Sequence, residues 1–243
     1  MNPAKIVVFL AVLSVYTPLK AEWRLELYAG KFFPGRSDLT VRRPAAGDDI
    51  TYHKVKWSDR SFDLPFYYGL RVSKFPSRES KVGFEMEFIH AKVYSDPEAH
   101  VRAAGRLANQ PVAGTRRLGD HIQQFDISHG LNFFLANLVW RTAWWRDESF
   151  SSRNPFVVFR SGVGACVCHT ESTIDWQHRE QYEWRGPGFQ TSIGGVLPLN
   201  RAVSLMLEYK FSHVWLRGLK VHKGDADSGI SGSHLVFGSA VTM

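Results

Sequence analysis

GFEMEFIHAKVY, residues 83–94, alternates cleanly and then breaks its own rule. Phe84, Met86 and Phe88 share one face of an extended chain, and Gly83, Glu85 and Glu87 share the other. Past Phe88 the chemistry inverts. Ile89, Ala91 and Val93 continue the phase of the glutamates, while His90, Lys92 and Tyr94 continue the phase of the phenylalanines. Period-two alternation marks a strand with different surroundings on its two sides. The stretch therefore asks which medium lies on each side, and why the two exchange.

The same grammar recurs in eight segments of the chain. Trp23, Leu25 and Leu27 oppose Arg24 and Glu26; Leu70 and Val72 oppose Arg71; Leu205, Leu207 and Tyr209 oppose Glu208 and Lys210. In the fourth segment Phe125, Ile127, Leu131, Phe133 and Leu135 form the apolar set against Asp126, Ser128, Gly130 and Asn132. A soluble barrel and a membrane barrel both alternate, and the composition of the polar face separates them. Here small residues are interleaved with charges of both signs, which suits a narrow lumen, and the apolar face is rich in Phe, Leu, Tyr and Trp, which suits lipid. The predicted fold is all-β: an eight-stranded antiparallel transmembrane β-barrel of the outer membrane.

A barrel of that size has room inside only for side chains. Arg24, Glu26, Arg71, Glu85, Glu87, Asp126, Arg160, Glu208 and Lys210 are therefore expected to pair as a lumen salt-bridge network, which leaves no diffusion pore. The spacing predicts long extracellular connections at 34–61, 96–121, 171–182 and 218–232, and short periplasmic turns at 75–81, 143–155 and 198–202. Trp140, Trp144 and Trp145 fall at one such turn, where an aromatic girdle belongs.

The N-terminus reads as a secretory signal peptide over 1–21: Lys5, the run IVVFLAVLSVY, then Ala21 at a cleavage site. The run is too short to span a bilayer as a helix, so the barrel domain is taken as 22–243. The formal net charge of +7 is spread over loops with no Lys/Arg block, which argues against nucleic acid and for anionic lipid headgroups. An exported barrel implies insertion by the barrel-assembly machinery, here as a monomer, into the cell outer membrane. Cys166 and Cys168 share a face about 6.5–7 Å apart, the upper limit for a disulfide, and read as small lumen-packing residues.

PFYYGLRV, GFEMEFIHAKVYSD and FDISHGLN, in that order, resemble the small outer-membrane barrels known as lipid A oxidases of rhizobia. The likeness runs through most of the chain and is specific between Pro65 and Asn132; His129 stands where the family has the Asp of a DGLN strand. The resemblance implies oxidation of the proximal glucosamine of lipid A to 2-aminogluconate, with molecular oxygen consumed and a divalent metal as a candidate cofactor. The alternative function is a non-catalytic barrel that stabilises the membrane or binds ligands through its long loops.

Three placements suit the inversion: a β-bulge that turns His90 and Lys92 into the lumen, a polar rim above the hydrocarbon, or an outward patch at headgroup height. The third gives the site expected for an enzyme. His90 and His129 are its catalytic, proton-handling pair, and Lys92, Tyr94, Arg102 and Arg106 bind the phosphorylated substrate. A pairing of Tyr94 with Gln123 would bring Phe88 opposite His129 and His90 opposite Ile127. A metal at this patch needs ligands beyond the two histidines, and the sequence shows none.

Overall fold

The computed structural model describes residues 21–145 and 149–243. The leader read at 1–21 lies, apart from Ala21, outside the described residues. Thirteen strands occur among the described residues: β1 (Glu22–Pro34), β2 (Ser37–Arg43), β3 (Asp48–Val55), β4 (Trp57–Ser58), β5 (Tyr68–Phe75), β6 (Val82–Ser95), β7 (His100–Leu107), β8 (Gln110–Arg117), β9 (Ile122–Ala143), β10 (Phe156–Ile174), β11 (Gln177–Pro198), β12 (Val203–Val221) and β13 (Gly224–Thr242). No helix among them is long and apolar enough to cross a membrane.

Eight strands are the staves. They run β1-β5-β6-β9-β10-β11-β12-β13, all antiparallel, and β13 pairs back onto β1 from Arg24↔Thr242 to Pro34↔Gly232, so the sheet closes. The outer face of this barrel exposes Leu27, Phe84, Met86, Leu138, Leu207 and Phe237. A contiguous apolar ring of this kind has no place in water and is what lipid requires. The molecule is an outer-membrane β-barrel, and Trp140, Trp144 and Trp145 sit exposed at its turn end.

The lumen is filled by ion pairs. The Arg71 guanidinium lies 2.8 Å from Glu87, 3.2 Å from Glu26 and 2.5 Å from Glu208. Arg160 reaches Glu26 at 2.9 Å and Glu85 at 3.1 Å. Lys210 contacts Glu87, and Arg24 lies 3.4 Å from Glu26. Asn137 donates to both Glu85 and Glu87 at 2.8 Å. Eight of the nine charges expected in the lumen share this network. Asp126 does not: it lies far up β9, where it accepts from the Ser95 amide and from Gln124.

Above the membrane the staves continue. The upper end of β13 pairs with β2, and the sheet goes on through β3 and β7 to β8. This extracellular tier wraps an apolar core that includes Val41, Ile50, Tyr52, Val93, Ile127 and Leu216. Two expectations are corrected here. Residues 171–182 and 218–232 are not loops but strand ends joined by two-residue turns, Asp175–Trp176 and His222–Lys223. The lipid-facing assignment of β9 is also reversed, because Phe125, Ile127, Leu131, Phe133 and Leu135 all point inward and are buried.

The inversion in β6 now has its cause. No bulge changes the phase at Phe88, since β6 pairs with β5 without a break from His90↔Tyr68 to Phe84↔Lys74. Glu85, Glu87, Ile89, Ala91 and Val93 all face inward. The interior itself changes, from ion-paired lumen below to apolar core above.

Candidate functional site on the outer wall

His90 and Lys92 consequently face outward, yet both are nearly buried. His90 Nδ1 lies 2.8 Å from Asn132 Oδ1, and its ring stacks on Tyr68 at 5.2 Å. Lys92 Nζ donates to the Asp63 carbonyl at 2.8 Å, beneath the segment that joins β4 to β5. That contact uses one of the three N–H donors of the ammonium expected to grip a phosphate. Tyr94 places its hydroxyl 3.4 Å from the Ser128 carbonyl, on the edge of the next feature.

That feature is a β-bulge in β9. Ala91 pairs with Leu131 and Val93 with Ile127, so Ser128, His129 and Gly130 together stand opposite Lys92 alone. On the other flank the same three residues stand opposite His169 alone, between Cys168↔Leu131 and Thr170↔Ile127. Gly130 makes the bulge feasible: its φ is +138°, and a Cβ there would lie 2.1 Å from the Asn132 side chain. The expected register is off by three residues above the bulge, where Tyr94 faces Asp126 instead of Gln123, and the bulge adds two more, so His90 faces Asn132 instead of Ile127.

The bulge pushes His129 out toward β10. His129 Nδ1 lies 3.0 Å from Glu171 Oε1, and His169 Nδ1 lies 3.6 Å from the same oxygen. The two imidazoles meet edge to face at 4.9 Å, and Tyr182 of β11 packs on His169 at 4.3 Å. Ser128 Oγ sits 2.9 Å from His129 Nδ1 and donates to Glu171. Serine and carboxylate both address Nδ1, so a nucleophile–base–orienter relay, which needs opposite ring nitrogens, is not assembled. One ligand atom from each of His129, His169 and Glu171 lies within 4.8 Å of the others.

The height of this group follows from strand geometry. Val157, Phe159, Val163, Ala165 and Val167 form the outward apolar run of β10. Ten residues of a strand tilted by about 40° climb roughly 25 Å, the height of the apolar band. His169 and Glu171 follow directly, at the level of the outer headgroups.

The expected partners are only partly brought together. His129 meets His169, not His90. Arg102 and Arg106 stand on β7 in the extracellular tier and form no hydrogen bond or ion pair with the histidine group; Arg102 lines a separate cleft with His53, Lys54 and His100. Cys166 and Cys168 are free thiols, Sγ to Sγ 3.3 Å, buried on the inward face as expected. His169 and Glu171 were missed by the sequence reading. Their signal was available, since both are polar residues in the outward phase of a strand whose outward residues had been apolar.

No family model and no curated protein matches the chain. Solved structures of similar chain path do exist. The outer membrane protein AlkL, solved in lipid bilayers, is 12% identical with a TM-score of 0.44, covering 95% of this chain and 93% of its own. Neisserial surface protein A is 8% identical at TM-score 0.39, covering 91% and 96%, and the Ail attachment invasion locus protein of Yersinia pestis is 10% identical at 0.39, covering 92% and 99%.

Proposed function

We propose that this barrel oxidises the proximal glucosamine of lipid A at the outer leaflet. The observation that carries the reading is the His129–His169–Glu171 group: titratable side chains gathered on the outer wall, at headgroup height, where a plugged lumen can play no part. The resemblance carried by residues 65–132 supplies the chemistry. A lactol loses two electrons and two protons to molecular oxygen, which leaves as hydrogen peroxide, and water opens the resulting lactone to the acid. The net change on the disaccharide is one added oxygen. His129 and Glu171 stand on the wall against which the lactol would dock.

The test is expression under aeration in a strain whose lipid A carries a free anomeric hydroxyl on the proximal glucosamine, with mass spectra of the extracted lipid. A gain of one oxygen on the disaccharide supports the reading, and its loss in His129→Gln ties the activity to this wall. An unchanged spectrum from folded wild-type protein returns the chain to the class of binding barrels. The basic cleft of the extracellular tier, lined by Arg36, Lys54, Lys56 and His100, favours that second reading.

A further inference from the structure

Three features of the outer wall bear on what the histidine group holds. First, His169 is a buried residue whose Nδ1 has no hydrogen-bond partner among the described residues, although it points at Glu171. Leaving a buried imidazole nitrogen unmet costs about 1–3 kcal/mol, a cost that a ligand bound at Nδ1 would remove. Second, the spacings fit a coordination shell. Ligand atoms about 2.1 Å from one metal stand roughly 3.0 Å apart at right angles and roughly 3.4 Å apart at tetrahedral angles. The observed pairs at 3.0 and 3.6 Å are such edges, and the third closes with rotation of the exposed His129 ring. Third, the ligand atoms are supported from outside: Ser128 donates to Glu171, and Tyr182 fixes the His169 ring. Such partners orient the ligand groups.

We propose that His129, His169 and Glu171 bind one divalent transition metal on the lipid-facing wall. Two imidazoles and one carboxylate on a single side leave open positions, the donor set associated with iron(II) and oxygen chemistry. The choice of iron rests on the oxidase reading; the coordination does not. A second group of like composition, Asp48, His121 and Asp175, already holds a cation, the Arg43 guanidinium, which contacts both carboxylates.

The test uses full-length protein folded in detergent, stripped with EDTA and titrated with zinc(II) by calorimetry, with cobalt(II) absorption as a second readout. One equivalent is expected to bind. Glu171→Gln and His169→Ala should each weaken zinc by about 100-fold or more, and Ser128→Ala by about tenfold. His53→Ala, in the separate cleft, should change nothing. Retention of the unboiled gel shift shows that each variant is folded, and His129→Ala, at an exposed position, guards against collapse of the buried ones. Wild-type affinity no tighter than that of folded Glu171→Gln and His129→Ala would overturn the site. Zinc and cobalt bound as expected, with lipid A unchanged under iron(II) and air, would sink the oxidase reading and leave the metal site standing. Lipid A oxidised by stripped Glu171→Gln would do the reverse.

Discussion

The lower and upper halves of β6 are built on one backbone pattern and have opposite chemistry. Below Phe88 the inward residues are glutamates and the outward ones Phe84 and Met86; above it the inward residues are Ile89, Ala91 and Val93 and the outward ones His90 and Lys92. Parity never changes, so the change lies in the media. Lipid surrounds the lower half and leaves the interior as the place for polar groups, which must then satisfy one another. Water surrounds the upper half and drives apolar residues inward. The boundary between the two regimes is the one height at which an outward face is neither lipid-bathed nor freely hydrated, and there the histidines collect.

The largest expected effect tests the lower half. Arg71 holds Glu26, Glu87 and Glu208 together, and Arg71→Met leaves those carboxylates buried without their central cation. Breaking a buried pair from one side costs about 3–5 kcal/mol. Urea unfolding of the refolded variant, followed by the gel shift, should show a loss of that size. A loss under about 1 kcal/mol would mean that water enters the lumen and the comparison of media fails.

The next prediction sharpens the contrast along a single strand. Leu207 and Lys220 both lie outward on β12, the first in the lipid band and the second in the tier beside Asp225. Leu207→Arg places a charge against hydrocarbon and should cost about 2–4 kcal/mol in bilayer unfolding titrations. Lys220→Leu breaks one exposed ion pair and should stay within about 1 kcal/mol. Equal costs at the two heights would remove the boundary.

Much of the barrel was legible because lipid enforces a strong signal. Wherever outward residues meet hydrocarbon, as in β1, β10 and β12, alternation assigned the faces correctly. The signal failed where water replaces lipid. Phe125, Ile127 and Leu131 were read as lipid-facing because an apolar set in a membrane barrel points out, but these residues belong to the extracellular core. The upper ends of β10 to β13, residues 171–182 and 218–232, lie above the lipid, where the outward face is polar and the lipid-facing signal stops, and they were read as loops. That misreading hid Glu171, and the bulge at Ser128–Gly130 that delivers His129 to it leaves little mark in the sequence beyond its glycine.

The smallest expected effect concerns the tier and pH. His121 is buried among Arg43, Asp48, Asp175, Arg116 and Tyr52. Burial pushes its pKa below the ordinary 6.5, with Arg43 and Arg116 adding to the depression and the two aspartates opposing it. The contacts explain the direction. Arg43 Nη2 donates to His121 Nε2 at 3.1 Å and Tyr52 meets Nδ1 at 2.7 Å, so the ring must keep a lone pair at Nε2, although Asp48 at 3.5 Å softens the cost of a proton there. A base with a depressed folded pKa takes up its proton more readily in the loosened state. Stability of the tier is therefore full above about pH 6.5 and declines as pH falls from there toward the folded pKa. Proteolysis of folded protein between pH 7.5 and 5.5, with a protease of flat activity over that range, should cut the 118–121 turn faster at the acid end while the gel shift of the barrel persists. His121→Gln should flatten that dependence. A slope unchanged in His121→Gln would assign it to other groups and leave the tier without a pH-sensitive latch.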